Sequence, residues 1–194
     1  MPTAAEKTRL RSKLDDYEGT IAHMYLDSKG YVTVGIGHLI TSVAEAQKLV
    51  FIVANTSKKA SATEIRTDYD NVKKQTMNLL ATAYKKHTTL KLTQLEIDKL
   101  TNNHIDTFYK ELKRIYLSFD TYPAEVRMAL YDMIFNLGMT NLKNSWPTFN
   151  KHIKALEWQK AANNSKRKAP ISAARNKYVK DQLEKAAKNN IKKP

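Results

Sequence analysis

A glutamate, an aspartate and a threonine stand at fixed spacing near the start of the chain: Glu18, eight residues, Asp27, five residues, Thr33. Two carboxyls and a hydroxyl are what hydrolysis of a glycosidic bond asks for. One carboxyl is kept protonated to release the leaving oxygen, and the other is kept ionised on the far side of the bond. A hydroxyl with donor and acceptor capacity can hold the water. The flanking residues suggest how the two carboxyls differ. Gly19 is a helix C-terminal signal, so Glu18 sits at the negative end of a helix dipole, which disfavours its charged form and suits a general acid. Asp27 lies beside a turn, where solvation keeps it ionised. The ordinary alternatives are a helix-end surface acid, a turn-forming aspartate and a β-favoured threonine.

The elements that would position these groups follow from the local pattern. Leu10, Leu14 and Tyr17 form a narrow apolar stripe and predict a helix over 3–17. Ile21 to Leu26 and Tyr31 to Ile36 read as strands joined by turn chemistry at Ser28-Lys29-Gly30. Gly35-Ile36-Gly37-His38 follows, and its glycines would let the backbone approach another segment or a sugar closely. Beyond it, a short helical run is expected around 44–54 and a helix over 63–87, started near Ala62 or Thr63 and Glu64. Thr93-x-x-Glu96 is a capping box opening a long helix over 94–115, with Ile97, Leu100, Phe108, Leu112 and Ile115 on its buried side. Pro123 opens a helix apolar nearly all round and therefore buried, ended by Gly138. Helical runs around 142–155, 157–167 and 171–189 complete the chain.

The spacing E-x8-D-x5-T followed by G-x-G-H, with Gly19, Tyr25 and Gly30 between, resembles the active site of T-even phage-type lysozymes, glycoside hydrolase family 24, which includes pesticin-like toxins and secreted effectors. LTQLEIDKL resembles the start of that family's linker helix, and A-L-x-D-M-x-F-N-L-G its central C-lobe helix. The resemblance implies an α+β, lysozyme-like and mostly helical single domain. Residues 1–92 would carry the first helix, the hairpin and an inserted helix, residues 93–115 the linker helix, and residues 116–194 a helical C-terminal lobe, with a cleft between lobes. It implies a muramidase that cleaves the bond between N-acetylmuramic acid and N-acetylglucosamine by inversion. Glu18 would be the acid, Asp27 the base and Thr33 the water-holding hydroxyl. Leu39, Phe135, Phe149 and Asn164 match sugar-contacting positions, and Arg175 matches an arginine that approaches the catalytic glutamate. Gly35, Gly37 and His38 would support the site, His38 by pinning the hairpin to the linker helix. The family's acidic partner for that histidine is replaced here, by His104 with Asp106 two residues on.

Composition bounds the rest. The 194 residues carry 33 Lys and Arg against 19 Asp and Glu, a net charge of +14. Such a field favours polyanions, whether nucleic acid or the anionic bacterial wall, and charge alone does not choose. No nucleic-acid motif is present, though a nucleic-acid binder exploiting the charge stays a rival; the resemblance implies the peptidoglycan strand as partner, with an immunity protein if the chain is an effector. With no cysteine and no clustered histidines, no metal and no cofactor are expected. No apolar run approaches a membrane span and no signal peptide is seen. The expectation is therefore a monomer made in the cytoplasm and delivered to the wall by a secretion system or by phage lysis. A non-catalytic wall-binding module of the same fold is the alternative.

Overall fold

The computed structural model describes residues 1–191, apart from the side chains of Glu18, Asn190 and Ile191. The chain divides into two compact units, residues 11–103 and residues 1–10 with 104–194. Among the described residues no helix is long and apolar enough to cross a membrane. Helices with a small antiparallel sheet give the expected α+β class.

The unit of residues 11–103 holds the motif. Helix α1 (Ala4–Glu18) ends at Glu18, as Gly19 predicts. Gly19 takes a positive φ of 69° and donates its amide to Asp15 O. Strands β1 (Ile21–Leu26), β2 (Val32–Gly35) and β3 (His38–Leu39) form one antiparallel sheet in that order. Tyr25 pairs with Thr33, and Thr33 with Leu39. Strand β3 extends the expected hairpin, because the turn at Ile36-Gly37 sends the chain straight back along β2.

The segment after β3 departs from expectation. The run expected to be helical around 44–54 is instead a one-turn helix α2 (Val43–Ala46) and a strand β4 (Phe51–Val53). Phe-Ile-Val is a strand-favouring triplet, and its partner β5 (Leu90–Leu92) lies far along the chain. The helix expected over 63–87 is α3 (Ala62–Lys73), which then stops. Its N-cap is Ser61, in a complete capping box with Glu64, and not Ala62 or Thr63. Asn78 is left-handed at φ 65°, and a separate 3₁₀ turn occupies Ala81–His87. Met77 and Leu80, assigned to an apolar face, are solvent-exposed. Asp68 of α3 is buried, yet its carboxylate accepts from Thr89 N and Leu90 N at 2.8 Å and from Thr89 Oγ1 at 3.1 Å. Those bonds satisfy the charge and tie α3 to β5.

Helix α4 (Gln94–Ile115) starts where its cap predicts, with Thr93 Oγ1 accepting from Glu96 N at 3.3 Å. The second unit is built on α5 (Ala124–Ser145), α6 (Pro147–Lys154), α7 (Trp158–Asn163) and α8 (Ala173–Ile191). In α5 the buried residues include Val126, Ala129, Leu130, Met133 and Ile134, as its pattern requires. Gly138 interrupts it at φ 70°, but the chain resumes as helix to Ser145. The run expected over 142–155 is accordingly split at Trp146.

One charged cluster lies inside this unit's core. The buried Asp132 accepts from Arg167 Nη1 at 2.6 Å and from Arg175 Nε at 2.9 Å. Asn176 adds its side-chain oxygen to Arg167 N and Nε, at 3.0 and 3.1 Å. The cluster joins α5, the 164–172 connection and α8. Removing the one carboxylate leaves two buried cations without it, a change that costs ~3 kcal/mol or more. Asp132→Asn is therefore expected to lower the melting temperature by roughly 6–12 °C, read by circular dichroism. A shift under two degrees would show the cluster to be energetically idle.

Candidate active site

Asp27 ends β1 and builds the turn. Its Oδ1 accepts from Lys29 N at 2.9 Å and from Tyr31 N at 2.8 Å. Its backbone closes the same loop, with Asp27 N donating to Tyr31 O at 2.9 Å and Gly30 N donating to Asp27 O at 3.0 Å. The turn-forming reading holds: Asp27 builds its turn through Oδ1, while Oδ2 accepts no hydrogen bond from the described residues. An aspartate fixed through one oxygen is oriented, and its other oxygen is left to accept.

Thr33 lies on the central strand β2 and is only 4% exposed. Its Oγ1 donates to Tyr31 O at 3.1 Å. The sequence reading gave this hydroxyl both donor and acceptor capacity. In the fold the donor is engaged, and the remaining role is to accept. Tyr31 thus connects the two groups, its amide bound to Asp27 and its carbonyl to Thr33. Glu18 closes α1 two residues before β1 begins; its side chain lies outside the described residues.

The supporting residues separate into two kinds. Gly35 has φ 66°, and a β-carbon on it would lie 3.7 Å from Ile97 of α4, an ordinary contact, so the left-handed backbone and not a close approach asks for glycine here. Gly37 has φ 72° with nothing within 4 Å. It serves the turn between β2 and β3, a conformational demand and not a close contact. His38 is half-buried and pairs with Val34 across β2 and β3. Asp106, two residues beyond His104, binds Lys7 Nζ at 2.7 Å. His104 stacks on Phe108, and burial lowers its pKa, favouring the neutral ring.

The sugar-contacting candidates also differ. Leu39 on the edge strand β3 is 43% exposed. In the second unit Phe135 is half-buried, edge-on to Phe108 at 5.9 Å and with the Arg175 guanidinium 5.4 Å from its ring centre. Asn164 is exposed at the end of α7, donating its amide to Lys160 O at 2.9 Å. Phe149 is a correction. At 1% exposed it is packed in the core beside Trp146, so it has no face to offer a sugar.

Sequence reasoning missed a brace on the turn from Asp27 to Tyr31. Lys73, the last residue of α3, donates its ammonium to Gly30 O at 2.8 Å and lies 5.8 Å from the Tyr31 ring centre. Met77 packs on the same turn, where a β-carbon at Gly30 would lie 3.4 Å from its sulfur. A lysine in a chain with 33 cationic residues carries no signal of its own. Asp132, which holds Arg175, could have been found, because a carboxylate on an otherwise apolar helix requires a buried partner.

No family model matches the chain. A curated relative, the probable T4-type lysozyme 1 of Dictyostelium discoideum, is 27% identical over 152 residues, covering 77% of this chain and 76% of the relative. That similarity to a T4-type lysozyme spans most of both chains.

Proposed function

We propose that the chain is a muramidase, cleaving the β-1,4 bond from N-acetylmuramic acid to N-acetylglucosamine in peptidoglycan. The observation that supports this most is the folded form of the E-x8-D-x5-T motif: a glutamate ending a helix, an aspartate held through one oxygen, and a threonine on the adjoining strand with its acceptor open. Glu18 gives its proton to the glycosidic oxygen as the bond to the anomeric carbon breaks. A water donates one hydrogen to Asp27 Oδ2 and the other to Thr33 Oγ1. Its lone pair then forms the new bond to the anomeric carbon, and Asp27 takes the proton. Attack from the face opposite the leaving group inverts the configuration. The family resemblance alone assigns Leu39, Phe135 and Asn164 to sugar contact and Arg175 to support of Glu18.

The test is hydrolysis of purified peptidoglycan followed by borohydride reduction. Muramidase cleavage yields reduced N-acetylmuramic acid ends, and freshly formed product shows the α anomer by NMR. Reduced glucosamine ends, or no cleavage by folded protein, would overturn the reading. The role we infer is bacteriolysis, by a delivered effector or an endolysin. Capture of a cognate immunity protein marks the first. Lysis from within, dependent on a membrane-permeabilising partner, marks the second.

Thr33→Val removes the acceptor and keeps the branched shape. Turnover is expected to fall roughly a hundredfold, with KM within twofold because the water is exploited only beyond the ground state. Thr33→Ser should lie between the two. Were Thr33 only a strand former, valine would be harmless and serine the mildly destabilised variant.

Lys73→Met keeps the packed stem and removes the donor to Gly30 O. Turnover is expected to fall about five- to tenfold, which corresponds to about 1 kcal/mol at the transition state. KM should hold, and Lys73→Arg should restore most of the loss. A changed KM with unchanged turnover would assign Lys73 to substrate binding instead.

A further inference from the structure

The inserted segment does more than brace the turn. Strands β4 and β5 and the 3₁₀ turn 81–87 close a pocket of about 380 Å³ against the first residues of β1. That volume is in the range of small-ligand sites. Ile21, Ala54 and Leu90 give it an apolar floor. Asn55, Thr82, Lys85 and Lys91 stand around it. Among the described residues none of those four side chains makes a hydrogen bond or ion pair. The walls are fixed by backbone, with Ala54 N donating to Thr89 O at 2.8 Å and Val53 N to Lys58 O at 2.9 Å. His23 is held at the wall through Nε2 and Ala81 O, 2.9 Å apart.

We propose that this pocket is an additional glycan subsite, taking an amino-sugar unit of the same strand whose bond Glu18 addresses. The inference rests on the muramidase reading above. Thr20, which lines the pocket, is two residues from Glu18, so their Cα atoms are at most about 7 Å apart. That is short against an extended glycan strand. The pocket's chemistry suits a sugar: an amide and a hydroxyl to bond acetamido and ring hydroxyl groups, over an apolar floor for the ring face. Lys85 and Lys91 add the specificity. The lactyl ether of N-acetylmuramic acid carries a carboxyl, free or extended by a stem peptide with its own carboxylates, whereas N-acetylglucosamine carries none. The pocket therefore selects a muramic-acid-bearing strand over plain chitin. No Phe, Tyr or Trp lines it, so it lacks the stacking platforms that nucleic-acid bases use.

The experiment uses the full chain. Glu18→Gln protein, which preserves its ligand from cleavage, is titrated by NMR with defined strands of alternating N-acetylglucosamine and N-acetylmuramic acid, one disaccharide and one octasaccharide. The octasaccharide is expected to shift amides at 20–23, 54–55 and 82–91, and the disaccharide is not. In parallel, wild type is compared with an Asn55→Ala/Thr82→Ala variant in hydrolysis. The variant should lose about tenfold in KM on the octasaccharide with turnover unchanged. Lys85→Gln/Lys91→Gln should bind muramic-acid strands and chitin oligomers equally. Hydrolysis by wild type without shifts at those amides, and with equal KM in the variant, would overturn the subsite and leave the muramidase reading standing. Shifts at those amides without hydrolysis by wild type would uphold glycan binding and overturn the reaction. Absence of both would overturn both.

Discussion

Glu18→Gln is expected to leave the protein folded and to reduce wall lysis by about a thousandfold or more, within the span that a positioned general acid supplies. The amide has the carboxyl's size, so the end of α1 and the glycine turn after it are undisturbed. What is lost is the proton. The leaving group in this reaction is a sugar alkoxide, a poor one, and without protonation its departure carries nearly the whole barrier. The measurement is the clearing rate of a wall suspension, alongside a thermal melt. A melt within two degrees of wild type together with activity within tenfold would remove Glu18 from the reaction.

What could be read from sequence was what local chemistry dictates. Ser28-Lys29-Gly30 announces the turn, Ile21–Leu26 has the strand pattern, and Thr93 with Glu96 marks the start of α4 to the residue. These signals act over a few residues and are complete in themselves. The inserted segment failed for the opposite reason. Strands β4 and β5 are three residues each and exist because they pair with one another, with 36 residues of chain between Val53 and Leu90. No window of ordinary length contains that pairing. Likewise, the apolar residues Met77 and Leu80 imitate a helical face over 63–87 but end up exposed, one beside Gly30 and one in solvent. The candidate site shows the same division. Glu18, Asp27 and Thr33 are legible because one short stretch carries them all. Lys73 is not, because its partner Gly30 is 43 residues away. Phe149 falls at a sugar-contacting position only by the family resemblance, and its plain alternative, the core, claims it, since α6 must bury an apolar face to pack at all.

Asp27→Asn is expected to reduce turnover by a comparable factor, and the turn geometry makes it a clean experiment. In most proteins an aspartate in a tight turn cannot be altered without moving the turn. Here the turn is held through Oδ1, which accepts two backbone amides. An asparagine carbonyl oxygen accepts the same two bonds, so the loop from Asp27 to Tyr31 keeps its shape, and with it the hydroxyl of Thr33 bound to Tyr31 O. The substitution changes only the other end of the group. Where Oδ2 can take a proton from water, the amide nitrogen offers donors, and the negative charge that would stabilise an oxocarbenium-like centre is gone. Turnover should therefore collapse while the melting temperature and the KM for a short glycan stay close to wild type. Asp27→Ala separates the two functions from the other side: it loses the amide bonds as well, so it should be less stable than Asp27→Asn and no more active. An Asp27→Asn enzyme with normal turnover would mean that the aspartate serves only the turn and that the base lies elsewhere. Equal stability of the alanine and asparagine variants would mean that the Oδ1 bonds do not hold the loop.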